Sequence, residues 1–146
     1  IIMGVERIEP SNYAQGLQRI RKMTCVVLVF HPQCGHCIEM FPKWEITKRM
    51  ANPRVKIVEV NGSAMHSHPG LSGSQIGKNT DGFPSLIRFE KGRMIEKYND
   101  ERSPEKMTDF VNRAVEPLNR NKRVATKARP RRKKARGKTK KLRRKN

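Results

Sequence analysis

Cys25-Val26-Val27-Leu28-Val29-Phe30-His31-Pro32-Gln33-Cys34-Gly35-His36-Cys37 is the stretch on which the reading of this chain turns. Its first half is a continuous run of apolar residues, the pattern of a strand buried on both faces. His31-Pro32-Gln33 ends that run. The residues from Cys37 to Met50 read as a helix, with Met40, Phe41, Trp44 and Met50 on one broad face and Pro42 inside it as a kink. The two cysteines of Cys34-Gly35-His36-Cys37 therefore stand at a strand-to-helix junction. A dithiol held there can be oxidised and reduced, because the nucleophile is a thiolate and a helix N-terminus favours negative charge. Spacing, residue types and location agree on thiol–disulfide exchange.

Working outward, Ser11 to Met23 carries Tyr13, Leu17, Ile20 and Met23 at helical spacing, with Ser11 or Asn12 as cap. Ala51-Asn52-Pro53 closes the helix after the cysteines, and Val55, Ile57, Val58 and Val60 make a second buried strand. Asn61 to Gly82 is rich in Gly, Ser, His and Asn, with a short irregular helix expected around Leu71 to Ile76. Ser85–Glu90 and Arg93–Tyr98 flank Lys91-Gly92, a hairpin signal. Ser103-Pro104 starts a last helix, whose apolar face is Met107, Phe110, Val111, Ala114 and Leu118. Two early strands separated by a helix predict a parallel βαβ unit, followed by a hairpin. The expected fold class is α/β: one mixed sheet with helices on both faces.

The chain has 146 residues and a net charge of +20. Arg120 to Asn146 holds 16 of the 33 Lys and Arg and no acid, leaving 17 bases against 13 acids elsewhere. An ordinary domain, residues 1–119, is thus joined to a basic tail, residues 120–146. Three cysteines make a poor disulfide scaffold, and Cys25, opening a strand, reads as an inert buried thiol. The chain opens on Ile1-Ile2-Met3 with polar and charged residues next, and no run approaches the roughly 20 apolar residues of a membrane span. With no signal peptide visible, the expectation is cytosol, nucleus, or a virion or other nucleoprotein particle. His66-Ser67-His68 is a poor zinc motif, because histidine ligands commonly stand three to five residues apart. No metal and no cofactor are expected.

Several motifs in the right order resemble the thioredoxin superfamily, and its protein disulfide isomerase branch in particular. They are Phe30 to Cys37; Pro42 with Trp44-Glu45; Gly82-Phe83-Pro84-Ser85-Leu86; and Tyr98 to Arg102. The likeness spans roughly Tyr13 to Leu118. It implies a thioredoxin fold and a catalytic set of Cys34, Cys37, His36, Pro84 and Arg102. Cys34 is the nucleophile and Cys37 resolves the mixed disulfide, so the two form the redox-active pair. His36 favours the Cys34 thiolate and makes the pair more oxidising than thioredoxin itself. Pro84 follows a cis peptide, and the backbone of Phe83 meets an extended, cysteine-containing protein substrate. Arg102 lowers the pKa of Cys37 by its charge; taken without the resemblance it is equally a solvated loop cation. Two residues depart from the pattern. Gln33 stands where the family has Trp, and Leu28 where it has a buried acid that moves protons for the second cysteine.

The tail contains Arg131-Arg132-Lys133-Lys134 and Lys140-Lys141-Leu142-Arg143-Arg144-Lys145. With almost no apolar residues it is expected to be disordered alone and to bind polyanions by counterion release. Nucleic acid is the leading partner, with an acidic protein surface, a nuclear-localisation signal and a simple solubility tail as competitors. Having no aromatic residue, the tail offers no base stacking, so binding should be sequence-neutral. Two functions are expected: a thiol–disulfide oxidoreductase or isomerase tethered to a polyanion, or a weakly catalytic assembly protein of a nucleoprotein particle or virion.

Overall fold

The computed structural model describes residues 5–115; Leu118 and the basic segment 120–146 lie outside them. The chain divides into two units, Ile1–Glu116 and Pro117–Asn146, and every described residue belongs to the first. Five strands make one sheet: β1 (Val5–Ile8), β2 (Cys25–Phe30), β3 (Ile57–Asn61), β4 (Ser85–Glu90) and β5 (Arg93–Lys97), in the order β1-β3-β2-β4-β5. β3 runs parallel to both β1 and β2, whereas β2 pairs antiparallel with β4 and β4 with β5. The central strand β2 is buried at all six positions, as its unbroken apolar run requires.

Among the described residues, five α-helices flank the sheet: α1 (Tyr13–Ile20), α2 (Gly35–Met50), α3 (Pro69–Ser72), α4 (Gln75–Lys78) and α5 (Pro104–Asn112). Strand side chains alternate, so β2 supplies two cores. Val27 and Val29 pack with Tyr13, Ile20, Leu71, Ile76 and Phe89 on one face. Val26 and Leu28 pack with Met40, Trp44, Met107 and Phe110 under α2 and α5 on the other. The thioredoxin fold expected from the sequence is the fold observed, with a mixed sheet, the parallel β2-α2-β3 unit and the β4-β5 hairpin. Lys91 and Gly92 both take positive φ (52° and 83°), the two-residue turn that matches strand twist. Ser103 caps α5 by accepting from the Lys106 N–H at 3.2 Å, with Pro104 at the first helical position.

Three local expectations are corrected. β1 was not expected: its four residues mix charge and apolar character at an edge, too short for a periodic signal. The irregular helix around Leu71 is two helices, because Ser74 accepts from the Gly77 N–H and starts α4 anew. Met50 does not join the buried face of α2. Met40 and Trp44 are buried, Phe41 packs against them, and Met50 is 48% exposed. At 100° per residue, position 50 has turned away from 40 and 44. Pro42 lies within α2 on its exposed face.

Candidate active site

The end of β2 and the start of α2 place the two cysteines. Cys34 is the residue before the first turn of α2, with extended backbone (φ −87°, ψ 123°). Its carbonyl accepts from the Ile38 N–H at 3.0 Å, so the helix begins at the sulfur-bearing residue. Cys34 is partly exposed, Cys37 is buried one turn in, and both are free thiols.

The surroundings separate the two thiols. The N–H of Cys37 holds the Cys34 thiol below its ordinary value, helped by the Cys37 side chain, the His36 N–H and the charge of Arg102. Burial pushes Cys37 up to about 11, against the opposing N–H of His31 and the charge of Arg102. His36 acts on Cys34 through its backbone N–H, while its imidazole is exposed over a hollow that Arg102 also lines. Arg102 is exposed and pulls both thiols toward the thiolate.

The Phe83–Pro84 peptide is cis. Its loop lies against the dithiol: the Cys34 thiol donates to the Phe83 carbonyl at 3.3 Å. Cys34, Cys37, Phe83 and Pro84 are thus brought together, with His36 and Arg102 at the rim of the same region. A groove of about 620 Å³ runs from this loop between Pro84, Leu86, Tyr98 and Arg102.

Three features escaped the sequence reading. His31 touches both cysteines and Phe83. Its N–H donates to Cys37 Sγ at 3.5 Å, its carbonyl accepts from the Cys34 N–H at 3.1 Å, and its Nδ1 accepts from the Gln33 N–H at 3.1 Å. Its ring also packs on the Phe83 ring, centroids 5.5 Å apart. Gly62 supports Phe83 from below: a Cβ there would lie 2.7 Å from the Phe83 ring. Under α2, Glu59 is a buried acid held by the Trp44 indole N–H and Lys48 Nζ, both at 2.7 Å, and by Arg7 Nε at 3.2 Å. The one signal for Glu59 was an acid interrupting Ile57-Val58-Glu59-Val60.

Leu28 is fully buried in the core beneath α2. Cys25 is also fully buried, and its thiol is pushed up to about 12 by burial. His68 caps α3 through Nδ1 and packs edge-on against Tyr13. Among the described residues no His, Cys, Asp and Glu side chains gather into a metal-binding cluster, and no helix is long and apolar enough to cross a membrane. The tail residues Arg131 to Lys134 and Lys140 to Lys145 lie outside the described part.

Comparison with known proteins agrees with this architecture. The family model described as Thioredoxin matches residues 4–113. A Theileria parva protein described as a thioredoxin domain-containing protein is 29% identical over 90 residues, which are 60% of this chain and 37% of that protein. The chain thus spans little more than a third of that relative's length. Among solved structures, the J-Trx1 fragment of ERdj5 superposes with a TM-score of 0.56 at 22% identity, covering 73% of this chain and 49% of that one. The first thioredoxin domain of mouse protein disulfide-isomerase A4 gives 0.55 at 19% identity, over 76% and 75%. With the family matched along most of its length, the chain belongs to the thioredoxin family.

Proposed function

We propose that this chain is a thiol–disulfide oxidoreductase of the disulfide-isomerase kind, acting through Cys34 and Cys37. The observation that carries the reading is the asymmetry of the pair. Cys34 is accessible and its thiol is held low; Cys37 is buried and its thiol stands at about 11. One sulfur is thus ready to attack and the other is held back until the first has reacted.

In the reducing direction, the Cys34 thiolate attacks one sulfur of a substrate disulfide. That S–S bond breaks and the second substrate sulfur leaves as a thiolate. Cys37 then loses its proton to solvent or to the departing thiolate and attacks Cys34 Sγ. The protein disulfide forms, the substrate leaves as a dithiol, and two electrons have passed to it. The oxidising direction is the reverse. The Phe83 carbonyl, which takes the Cys34 S–H in the free protein, faces the substrate chain beside Pro84. Insulin reduction and refolding of scrambled ribonuclease test the reading. Wild type should turn over, Cys37→Ser should stop at a mixed disulfide, and Cys34→Ser should be silent. A wild type that behaves like the double serine variant overturns it.

The burial of apolar Leu28, where the resemblance expects a proton-moving acid, favours a second reading, a weakly catalytic assembly protein that keeps the fold. Fixed stoichiometry in an isolated particle, with slow insulin turnover, would favour it. For residues 120–146 the composition supports polyanion binding, with nucleic acid first. Truncation after Asn119 should abolish a duplex affinity that falls steeply between 50 mM and 200 mM salt.

A further inference from the structure

The charge arrangement around the dithiol bears on which substrates it takes. Two hollows flank the site, about 620 Å³ beside the cis-proline loop and about 360 Å³ over His36, and Arg102 lines both. In the larger hollow the charged neighbours of Arg102 are compensated, whereas beside the smaller one Asp100 and Glu101 share a single lysine. Lys97 pairs with Asp81, and Lys106 pairs with Asp100 at 3.5 Å and Glu101 at 3.1 Å. Glu39 and Lys43 stand one turn apart on α2 and contribute opposite charges. Arg102 is exposed and makes no salt bridge or hydrogen bond within the described residues. The larger hollow has apolar groups, Phe83, Leu86 and Tyr98, leading to that free guanidinium.

Resting on the exchange reading above, we propose that Arg102 is a specificity residue, selecting polypeptides with a glutamate one or two positions from the reacting cysteine. A substrate chain lying extended beside Phe83 places successive residues about 3.3 Å apart. Its neighbours to the cysteine therefore fall over these hollows. Glutamate fits the larger one in both halves, its methylene stem on the apolar wall and its carboxylate on the planar guanidinium fork. A lysine there meets the like charge of Arg102.

The test uses three cysteine peptides, each a mixed disulfide with uncharged 2-mercaptoethanol, with Glu, Gln or Lys two positions from the cysteine. Each rate is divided by its rate with dithiothreitol, which removes the intrinsic effect of the flanking charge on the cysteine. The ratio between peptides also cancels any change in Cys34 nucleophilicity caused by substitution. We expect Glu over Gln by about fivefold at low salt, as an exposed charge pair allows, with Lys slowest and the spread shrinking in 0.5 M salt. Arg102→Gln should bring Glu and Gln together, and Arg102→Glu should make Lys the fastest. Equal wild-type rates for all three, or a Glu preference that survives Arg102→Gln, overturn the assignment. Absence of exchange with every peptide overturns the exchange reading itself, and the specificity falls with it.

Discussion

Leu28 of β2 and Glu59 of β3 are direct partners in the parallel ladder, and both are buried. The acid under α2 therefore lies one strand over from the position where the resemblance led one to look for it. Glu59 is also fully engaged. Trp44 and Lys48 of α2 bind one oxygen and Arg7 of β1 the other, so one carboxylate ties helix, central sheet and edge strand together. The Lys48 side chain is only 8% exposed and also meets Glu45 at 2.9 Å. Arg7 lies over the Phe30 ring at 4.7 Å, which brings the network to the end of β2. An acid so neutralised is a strut rather than a proton acceptor.

This strut should show in acid. Glu59 is itself strongly desolvated, yet Lys48, Trp44 and Arg7 together hold its carboxyl below the ordinary range. A carboxyl lowered on folding stabilises the fold above its unfolded pKa of about 4.3, and that contribution is lost as pH falls through the lower folded value. Glu59→Gln should cost about 2–3 kcal/mol at pH 7, because it strips a buried ion network of its acid. Urea unfolding from pH 2 to 7 checks this. The gap between wild type and variant should narrow below about pH 4, and a gap that stays constant would count against the network.

The second step of exchange should be strongly pH-dependent. Burial is the largest cause that holds the Cys37 thiol high, and it persists when Cys34 is linked to a substrate, so the Cys37 thiolate fraction rises about tenfold per pH unit below its pKa. Decay of the Cys34-linked mixed disulfide, trapped with N-ethylmaleimide and read on non-reducing gels, should accelerate in proportion between pH 7 and 9. Formation of the mixed disulfide should level off earlier, because the Cys34 thiol is held low. A decay rate flat across this range would mean that another group takes the Cys37 proton.

His31 holds the turn before Cys34 by accepting the Gln33 N–H. Asn can supply the same acceptor two residues upstream, and Leu cannot. His31→Leu should slow iodoacetamide alkylation of Cys34 at pH 7 by about three- to fivefold, the worth of one hydrogen bond. His31→Asn should recover most of that rate at similar melting temperature. If Asn is as slow as Leu, the ring packing on Phe83 matters and the Nδ1 acceptor does not.

Gly62 leaves room for Phe83. Gly62→Ala places a Cβ 2.7 Å from the Phe83 ring and 3.3 Å from the Phe30 carbonyl. The ring must shift and the cis-proline loop with it, at about 1–2 kcal/mol in stability. Exchange with a protein disulfide should fall by more than alkylation of Cys34 by iodoacetamide, which needs no loop. Equal losses in the two assays would make the effect global.

Local chemistry made much of this protein legible in its sequence. The apolar run Cys25–Phe30, the cysteine spacing, Lys91-Gly92 and Ser103-Pro104 each act on a few neighbouring residues, and each is found where it was expected. β1 was hidden because an edge strand of four mixed residues acquires meaning only beside β3. Met50 was misplaced because helical phase, read over many residues, drifts from the face that packs. Sequence alone determined the fold class and the dithiol at the head of α2. The tertiary structure decided what surrounds that dithiol. Glu59 meets Arg7 across 52 positions, and Cys34 meets Phe83 across 49. Such contacts leave no periodicity in the chain, because the sheet, not local propensity, brings the partners within bonding distance.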